Sequence, residues 1–530
     1  MVQRGVTRRG AIARAAAAGL MAAGAAGAAG TSTAVRADNA GKRRLIVGMS
    51  GFPPAVEPVL FNHTATRRVV PQLFDTLVAF DHARGMALRP ALAERWERTG
   101  PRTVRLWLRK GVAFHDGSPF TADDVVFSFS PEHLLGPGMS GRSIAMQTMD
   151  RLDRVETIDA HSVVIHAKGD DALLEQRLAA WGSEIVGKRA FEAVGSWDKW
   201  TAAPVGTGPY RLVSQKLDVD LVLAAHQAYW GGPPPFAGVD YRILPEPATR
   251  LNALLTGAID IATDVAPDRF AEIERRPELE VAGGAVQNIR YLAIDQSSPV
   301  LKSAKLRRAL SLALDRKTFV EALWANRVPV PNGFQLPSFG TGYIEDFPAL
   351  AYDPELARKL IAESGYKGET IVYRLLNNYY TNQVSGAQAM VEMWRAVGLD
   401  VRLQMMENFS QIQRKPVSAI YDSSSTAIFP DHLGQAWREF GPKGTLPMQV
   451  GIWQNEEYFG LGDRLQGTVD AAERRALVRR MLEIIDREDP PCVVLHASGQ
   501  FYGKRKDVPW IPGQTLDFNF GPFNQAVAAR

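Results

Sequence analysis

Helix-like and strand-like patterns alternate along most of this 530-residue chain, and the alternation limits the folds open to it. The helical pattern "QAMVEMWRAVG" precedes the strand pattern "LDVRLQMM", and "AAERRALVRRMLEIIDRE" precedes "PCVVLHA" in the same way. A chain of this length can bury two or more sizeable cores. Mixed strands and helices over such a length predict α/β lobes whose sheets are largely covered.

Further segments fit this pattern. "KRRLIVGMSG" and "RTVRLWLRKG" predict two early strands, and "KLRRALSLALDRKTFVEALW" has helical periodicity throughout. In "DPELARKLIAESGY", Asp353 is the predicted N-cap of a helix, Pro354 its first residue and Gly365 its end. No fixed-period repeat and no low-complexity linker divides the chain after its N-terminal region.

Residues 1–37 have the composition of an export signal. They contain five arginines and no acidic residue, an Ala/Gly run and the small-residue pattern Val35-Arg36-Ala37. Arg8 and Arg9 before a weakly apolar core favour a twin-arginine signal, and an Ala-rich tail without function is the alternative. Removing these five of the 61 basic residues leaves 56 against 57 acidic ones, a net charge of −1. Nucleic acid is therefore not an expected partner.

Cys492 is the only cysteine, so an intramolecular disulfide is excluded, and the signal has no cysteine for lipid anchoring. A small buried side chain is the expected role of Cys492. No run of eighteen apolar residues follows the signal, so the sequence predicts a soluble exported protein.

The stretch "GVAFHDGSPFTADDVVFS" resembles a metal or acid/base site, but each polar residue has a local structural task. Thr121 and Asp124 have the spacing of a helix N-cap and its reciprocal acid, and Asp116-Gly117 with Pro119 is typical of a tight turn. His115 has no second ligand at a metal-binding spacing. We therefore expect scaffolding here, and no metal site.

Motifs of enzymes are also incomplete. "GPGMSGRS" (Gly136–Ser143) has Arg142 where a phosphate loop has lysine, and no apolar strand precedes it. "GTGPYR" lacks the third glycine of a dinucleotide motif, and "GMSGF" is not a nucleophile elbow. The sequence predicts neither an enzyme nor a cofactor.

A set of ordered landmarks resembles a known family. They are "QLFDTLVAFD", "LRPALAERWE", "VRLWLRKGVAFHDGSPFTADDVVFSF", "PVGTGPYRL", "YWGGPPPFAGVDYRIL", "RLNALLTGAIDIATDV", "LRRALSLALDR" and "AYDPELARKLIAESGY". Their order over nearly the whole chain after residue 37 resembles the extracellular solute-binding proteins of family 5, the peptide and nickel type of receptor for ABC importers.

The resemblance implies an α/β fold of the two-lobed periplasmic-binding-protein type, with an extra subdomain in the first lobe. By the family's chain path, residues 38–285 and 499–530 form the first lobe, 63–199 the extra subdomain and 286–498 the second lobe. The chain would cross between lobes near "VQNIRYLA" and "HASGQFYG". The implied protein is a periplasmic monomer without a cofactor. It would close around a peptide or peptide-like solute and deliver it to ABC permease subunits at the inner membrane.

One position departs from the family. Its peptide binders commonly pair the peptide's ammonium group with an aspartate in a "D-Y-x-[DE]-P"-like segment, and in "STAIFPDHLG" this alignment places Ile428 there. Asp431 or Asp422 could substitute. We expect recognition by neutral hydrogen bonds and apolar contact, or of a carboxylate by Arg438, more readily than recognition of a free-amine dipeptide.

Candidate ligand contacts lie in loops after strands, where α/β sheets present ligands. They are Ser50, Gly51, Phe52, Asn377, Tyr379, Tyr380, Ser425, Thr426, Phe429, Trp437 and Arg438. For each aromatic residue, a place in the core is the alternative. Open alternatives for function are a receptor for an opine-like compound, a glycoside or a metal chelate, an exported hydrolase, and an interaction protein that uses the same fold without import.

Overall fold

Two long strands cross the middle of the largest sheet and determine its shape. The computed structural model describes residues 41–52, 56–58, 64–81, 84–134, 145, 148–377, 379–412 and 420–524. The strands within these ranges are β1 (Arg44–Met49), β2 (Val78–Asp81), β3 (Ala87–Pro90), β4 (Ala93–Gly100), β5 (Thr103–Leu108), β6 (Leu152–Asp159), β7 (Ser162–Ala167), β8 (Tyr210–Lys216), β9 (Asp220–Ala225), β10 (Gly238–Ile243), β11 (Ile261–Ala262), β12 (Leu279–Ile294), β13 (Ile371–Leu376), β14 (Val401–Met406), β15 (Ile420–Thr426) and β16 (Cys492–Arg505).

Helices cover these strands. They are α1 (Thr64–Leu73), α2 (Ala122–Ser128), α3 (Leu174–Arg177), α4 (Lys188–Val194), α5 (Trp197–Ala202), α6 (Pro247–Leu255), α7 (Phe270–Glu274), α8 (Ala304–Leu312), α9 (Arg316–Trp324), α10 (Pro354–Ser364), α11 (Gln383–Ala396), α12 (Phe409–Ile412), α13 (Ala436–Phe440), α14 (Glu456–Gly467) and α15 (Ala471–Glu483).

The large sheet has the strand order β14-β13-β15-β12-β16-β11-β1-β10-β9-β8. Strands β12 and β16 pair antiparallel from Leu279–Arg505 to Ala293–Cys492. On one side of this pair lie β13 to β15, which we call the β13 half, and on the other lie β1 and β8 to β11, the β1 half. The register between β12 and β16 shifts between Ala285 and Ile289, so the two halves are joined where the ladder is irregular.

A smaller antiparallel sheet, β4-β5-β7-β6, lies in the chain between β1 and β8. We call residues 78–202 the inserted unit. Alternate residues of β5, such as Val104 and Leu106, are fully buried in its core. The unit also packs against the segment after β15. Leu173 and Trp181 belong to the same hydrophobic cluster as Phe429, and the guanidinium of Arg177 lies 5.6 Å from the centre of the Phe429 ring.

Local signals in the sequence account for much of this structure. Asp353 accepts a hydrogen bond from the backbone of Leu356 at 2.8 Å, and Gly365 ends α10 with φ of 81°. These positions confirm the predicted helix and its caps. The run at residues 305–324 forms two helices instead of one, because Asp315 accepts from the backbone of Thr318 and starts α9 anew.

Candidate functional site

The acidic side chains at 116 and 124, in the stretch 111–128, have local structural roles. The backbone N–H of Thr121 donates to Asp124 Oδ2 at 2.9 Å at the start of α2, and that of Lys188 donates to Asp124 Oδ1 at 3.0 Å. Asp116 accepts from the backbone N–H of Ser118 at 2.9 Å within the predicted turn. The carboxylates at 116 and 124 therefore satisfy backbone donors, as predicted.

His115 holds a neighbouring loop. The backbone N–H of Gly206 donates to His115 Nδ1 at 3.3 Å, and Nε2 lies 3.1 Å from the carbonyl oxygen of Gly208. Burial lowers the pKa of His115 to about 3, so the ring is neutral, with its proton on Nε2. Within the described ranges, no group of three or more His, Cys, Asp or Glu side chains could hold a metal ion.

The glycines of "GTGPYR" serve close packing. A Cβ added to Gly206 would lie 2.0 Å from the carbonyl oxygen of Leu73, and one on Gly208 would lie 2.5 Å from the carbonyl carbon of Leu73. Only glycine allows this approach to the end of α1. The stretch Gly136–Ser143 lies outside the described residues.

An open cleft lies between the β1 half, the inserted unit and the segment that follows β15. It encloses about 1090 Å³, part of which is open to solvent. Its walls include Arg67 from α1, Trp181 and Glu184 from the inserted unit, Ile428 after β15 and Asp517 near the C-terminus. The lining of this cleft combines charged side chains with aromatic ones, a combination typical of ligand sites.

One ion-pair cluster dominates this cleft. Arg67 is buried, and its guanidinium donates from Nη1 to Glu184 Oε1 at 2.8 Å and from Nε to Asp517 Oδ1 at 2.6 Å. The same guanidinium lies 4.7 Å from the centre of the Trp181 ring system. The cluster therefore places one cation and two carboxylates against an aromatic wall.

A second polar group lies further along the cleft. Asp75 accepts hydrogen bonds from Trp230 Nε1 at 2.9 Å, Thr207 Oγ1 at 3.0 Å and Tyr229 Oη at 3.1 Å. Burial raises the pKa of Asp75, and the three donors act in the opposite direction. Phe523 packs against Trp230 with ring centres 5.4 Å apart. This end of the cleft combines aromatic surface with a carboxylate whose acceptor sites are largely used.

Ile428 lines the cleft, while the two aspartates considered as its substitutes are engaged within the protein. Asp422 is buried in an ion pair with Arg290. Asp431 accepts from the backbone of Leu433 at 2.9 Å and pairs with Arg474 at 2.7 Å. Both carboxylates are therefore already paired with arginine side chains of the protein.

The predicted contact residues occupy varied environments. Tyr380 donates to Ser424 Oγ at 3.2 Å beneath the guanidinium of Arg290, and Thr426 Oγ1 accepts from Asn288 at 2.7 Å. Ser50 and Asn377 are exposed, Gly51 is half-buried, Tyr379 is 46% exposed, and Ser425 and Phe429 are fully buried. Phe52 packs edge-on against Tyr241.

Two of the predicted residues lie in a different cavity of about 520 Å³. Trp437 and Arg438 line it together with Arg177 and Lys443. Arg438 Nη2 donates to Glu439 Oε1 at 2.7 Å, so the charge of its guanidinium is offset. None of the eleven predicted contacts is among the described residues that line the larger cleft, and their role as ligand contacts stays a prediction.

Sequence reasoning did not identify the cluster of Arg67, Glu184 and Asp517. Its three members come from α1, the inserted unit and the C-terminal segment, and no local motif connects them. "TATRRVVPQL" does contain two consecutive arginines in a helix of which Arg67 and Arg68 are both buried. Two consecutive arginines among apolar residues were therefore a signal that the sequence contained, while their burial is visible in the structure.

In the described part of the chain, no helix has the length and apolar character needed to cross a membrane.

The family model of the bacterial extracellular solute-binding proteins, family 5, middle region, matches residues 87–445. Heme-binding protein A of Haemophilus influenzae is 26% identical over 477 residues, which cover 85% of both chains. Di/tripeptide-binding protein 2 of Pseudomonas aeruginosa is 27% identical over 492 residues, 86% of this chain and 89% of the relative.

The fold has matching solved structures. The periplasmic binding protein DppA of Helicobacter pylori, in complex with the peptide STSA, superimposes with a TM-score of 0.80. The match has 21% sequence identity and covers 91% of this chain and 97% of the other. This match, together with the mixed α/β architecture and the large sheet, confirms the predicted two-lobed periplasmic-binding-protein fold. The chain belongs to the bacterial extracellular solute-binding proteins of family 5.

Proposed function

We propose that this protein is the receptor of an ABC importer and delivers a peptide or peptide-like solute to the permease subunits without catalysing a reaction. The observation that carries the proposal is the open cleft of about 1090 Å³ at the meeting of the β1 half, the inserted unit and the segment after β15. Its mixed charged and aromatic walls suit a solute with both polar and apolar groups. The di/tripeptide-binding relative supports the peptide class.

We assign to the two lobes of this receptor the residue ranges that the sequence predicts. The first comprises residues 38–285 and 499–530, with 63–199 as the extra subdomain, and the second comprises 286–498. The irregular pairing of β12 with β16 between Ala285 and Ile289 supports a hinge at the predicted crossings. Among the described strands, β12 and β16 are the two that continue here from one half of the sheet to the other, so bending at this point disturbs few hydrogen bonds.

Closure over the solute follows from contacts that the solute would make with both lobes. The inserted unit already contacts the second lobe, since Leu173 and Trp181 share a hydrophobic cluster with Phe429. A solute between Trp181 and Ile428 would add contacts that exist only in the closed form. It would therefore shift the population toward that form by its differential affinity.

A non-peptide solute is the second candidate. Ile428 stands in the cleft where the family's peptide binders commonly have an aspartate, and one relative is named a heme-binding protein. For either solute, residues 1–37 would direct export by the twin-arginine route, and the protein would act as a periplasmic monomer.

Identification of the bound solute tests this proposal. We expect mass spectrometry of the mature protein, purified without refolding, to detect one small solute per chain. Calorimetry of the solute-free protein against the recovered compound should show a stoichiometry of one. Replacing the half-buried Ala79, which lines the cleft, with Trp should fill part of the cleft and abolish binding. Chemical turnover of the solute, or equal affinity in the filled variant, would contradict a receptor that binds in this cleft.

A further inference from the structure

The ion-pair cluster of the cleft has an unbalanced charge. Glu184 and Asp517 both pair with Arg67, and in the described ranges no other basic side chain lies within ion-pair distance of either carboxylate. The exposed fractions of these side chains are 4% for Glu184, 17% for Asp517 and 7% for Arg67. Because an uncompensated charge is costly in such a poorly solvated place, a further cation beside the cluster would be favourable.

The two carboxylates differ in the acceptor capacity that they have left. Glu184 uses Oε1 for Arg67 and Oε2 for the backbone N–H of Gly182 at 2.8 Å. Asp517 uses Oδ1 for Arg67, and no described residue donates a hydrogen bond to Oδ2. Asp517 is also the more exposed of the two and lines the cleft. Asp517 is therefore the better placed carboxylate for a group that enters from the cleft.

We propose that Asp517 binds a cationic group of the solute, an ammonium in the case of a peptide, with Glu184 adding to the negative potential. With this group bound, two cations would face two carboxylates. The face of Trp181, already used by Arg67, would border the same site. The inference rests on the proposed function and specifies its solute class.

This assignment revises an expectation from the sequence. Ile428 in place of an aspartate predicts weak recognition of a free amine, and the engaged states of Asp422 and Asp431 agree with the loss of that site. In the same cleft, however, the carboxylate of Asp517 in the C-terminal segment is incompletely neutralised. The cation would thus be bound by the predicted first lobe, whereas the family's peptide binders commonly use an aspartate of the second lobe.

The experiment compares free and blocked amino groups. The solute-free mature protein is mixed with a library of free-amine di- and tripeptides and with the same library after N-acetylation, and retained peptides are identified by native mass spectrometry. We expect retention from the free-amine library, and calorimetry should give at least about tenfold weaker binding after acetylation. Asp517→Asn should remove this preference, and Asp517→Glu should keep most of it.

Two further variants separate binding from folding. Asp507→Asn changes a surface carboxylate near the same C-terminal segment, paired with Arg43 and Arg505, and should leave the preference intact. Should Asp517→Asn not fold, as judged by thermal unfolding, Glu184→Gln is expected to weaken the preference in the same direction. Equal affinity for free and acetylated peptides, or an unchanged preference in folded Asp517→Asn, would overturn the inference.

Failure of the peptide class is distinguishable from failure of the cation site. If neither library is retained, peptide delivery is wrong, and the solute recovered from the native protein decides the inference. A basic solute that binds more weakly to Asp517→Asn than to the unaltered protein would support the site. A recovered solute without a cationic group, or no cationic solute in either experiment, would overturn it.

Discussion

The backbone N–H of Ala172 donates a hydrogen bond to the carbonyl oxygen of Gln466 over 2.9 Å and so joins the inserted unit to α14. Close by, Lys443 Nζ lies 3.1 Å from Asp150 Oδ2. Both contacts link the proposed extra subdomain to the proposed second lobe. In the receptor account, they contribute to the free energy of the closed form.

Lys443→Ala is expected to weaken solute binding slightly. The side chains of Lys443 and Asp150 are 54% and 18% exposed, so the pair contributes at most about 1 kcal/mol to the closed form. Calorimetry should show up to about a fivefold loss of affinity at low salt and a smaller loss at high salt. Lys305→Ala, which removes a similarly exposed pair with Glu363, is the control and should leave affinity unchanged.

Acidification below pH 6.5 should destabilise the protein. Burial lowers the pKa values of His115, His432 and His496 to about 3, so the unfolded chain binds three more protons than the folded one well below pH 6.5. Burial raises the pKa of Asp486 to about 7, which adds one proton to the folded state and offsets one histidine. For these four groups the balance is two net protons, which correspond to about 3 kcal/mol per pH unit.

Thermal and urea unfolding between pH 7 and pH 5 would measure this effect. His115→Ala should reduce the dependence on pH toward half, cost about 1–2 kcal/mol at pH 7 through its lost hydrogen bonds, and leave solute affinity and metal content unchanged. Stability that is constant or rises on acidification would show that these histidines are not neutral in the folded state.

Asp422→Asn should reduce stability without altering the choice of solute. Its partner Arg290 is buried, and removing one member of such a pair costs about 3–5 kcal/mol. The preference for free over acetylated amines should persist in this variant and in Asp431→Asn. Loss of that preference in calorimetry would instead assign the cation to one of the two aspartates that the sequence suggests.

Local signals explain why the fold could be predicted. Capping at Asp353, the reciprocal contact of Thr121 with Asp124 and the alternating burial of β5 each depend on residues close in sequence. One break was missed, since the helical run at 305–324 is interrupted at Asp315, where the side chain competes for a backbone N–H that a continuous helix would use.

The cleft was harder to predict because its central pairs are distant in sequence. Arg67 and Glu184 are 117 positions apart, and Arg67 and Asp517 are 450 apart. No periodicity or spacing reports such pairs. Ile428 is the exception, because the alignment with the family's aspartate-containing segment singled it out and it lines the cleft.

Changing Arg8 and Arg9 together to lysine should keep the protein in the cytoplasm. The paired arginines before an Ala-rich core predict export by the twin-arginine route, and this change removes both of them. Cell fractionation with antibody detection measures the outcome. Because the predicted signal ends before the first strand at Arg44, the purified variant should unfold at the same temperature as the unaltered protein. Normal export of the double-lysine variant would reject this route.

Solute-dependent closure of the receptor can be followed through one distance between the inserted unit and the segment after α14. Cys492 is the only cysteine and is buried, so spin labels can be directed to Lys168→Cys in the inserted unit and Val469→Cys after α14. These segments are adjacent here, since a Cβ on Gly467 would lie 3.3 Å from Asp170 Cβ. Pulsed electron–electron double resonance should give one short distance between the two labels with the recovered solute. Without the solute, the distribution of distances should be longer and broader. Identical distributions with and without solute would contradict a receptor that closes over its ligand.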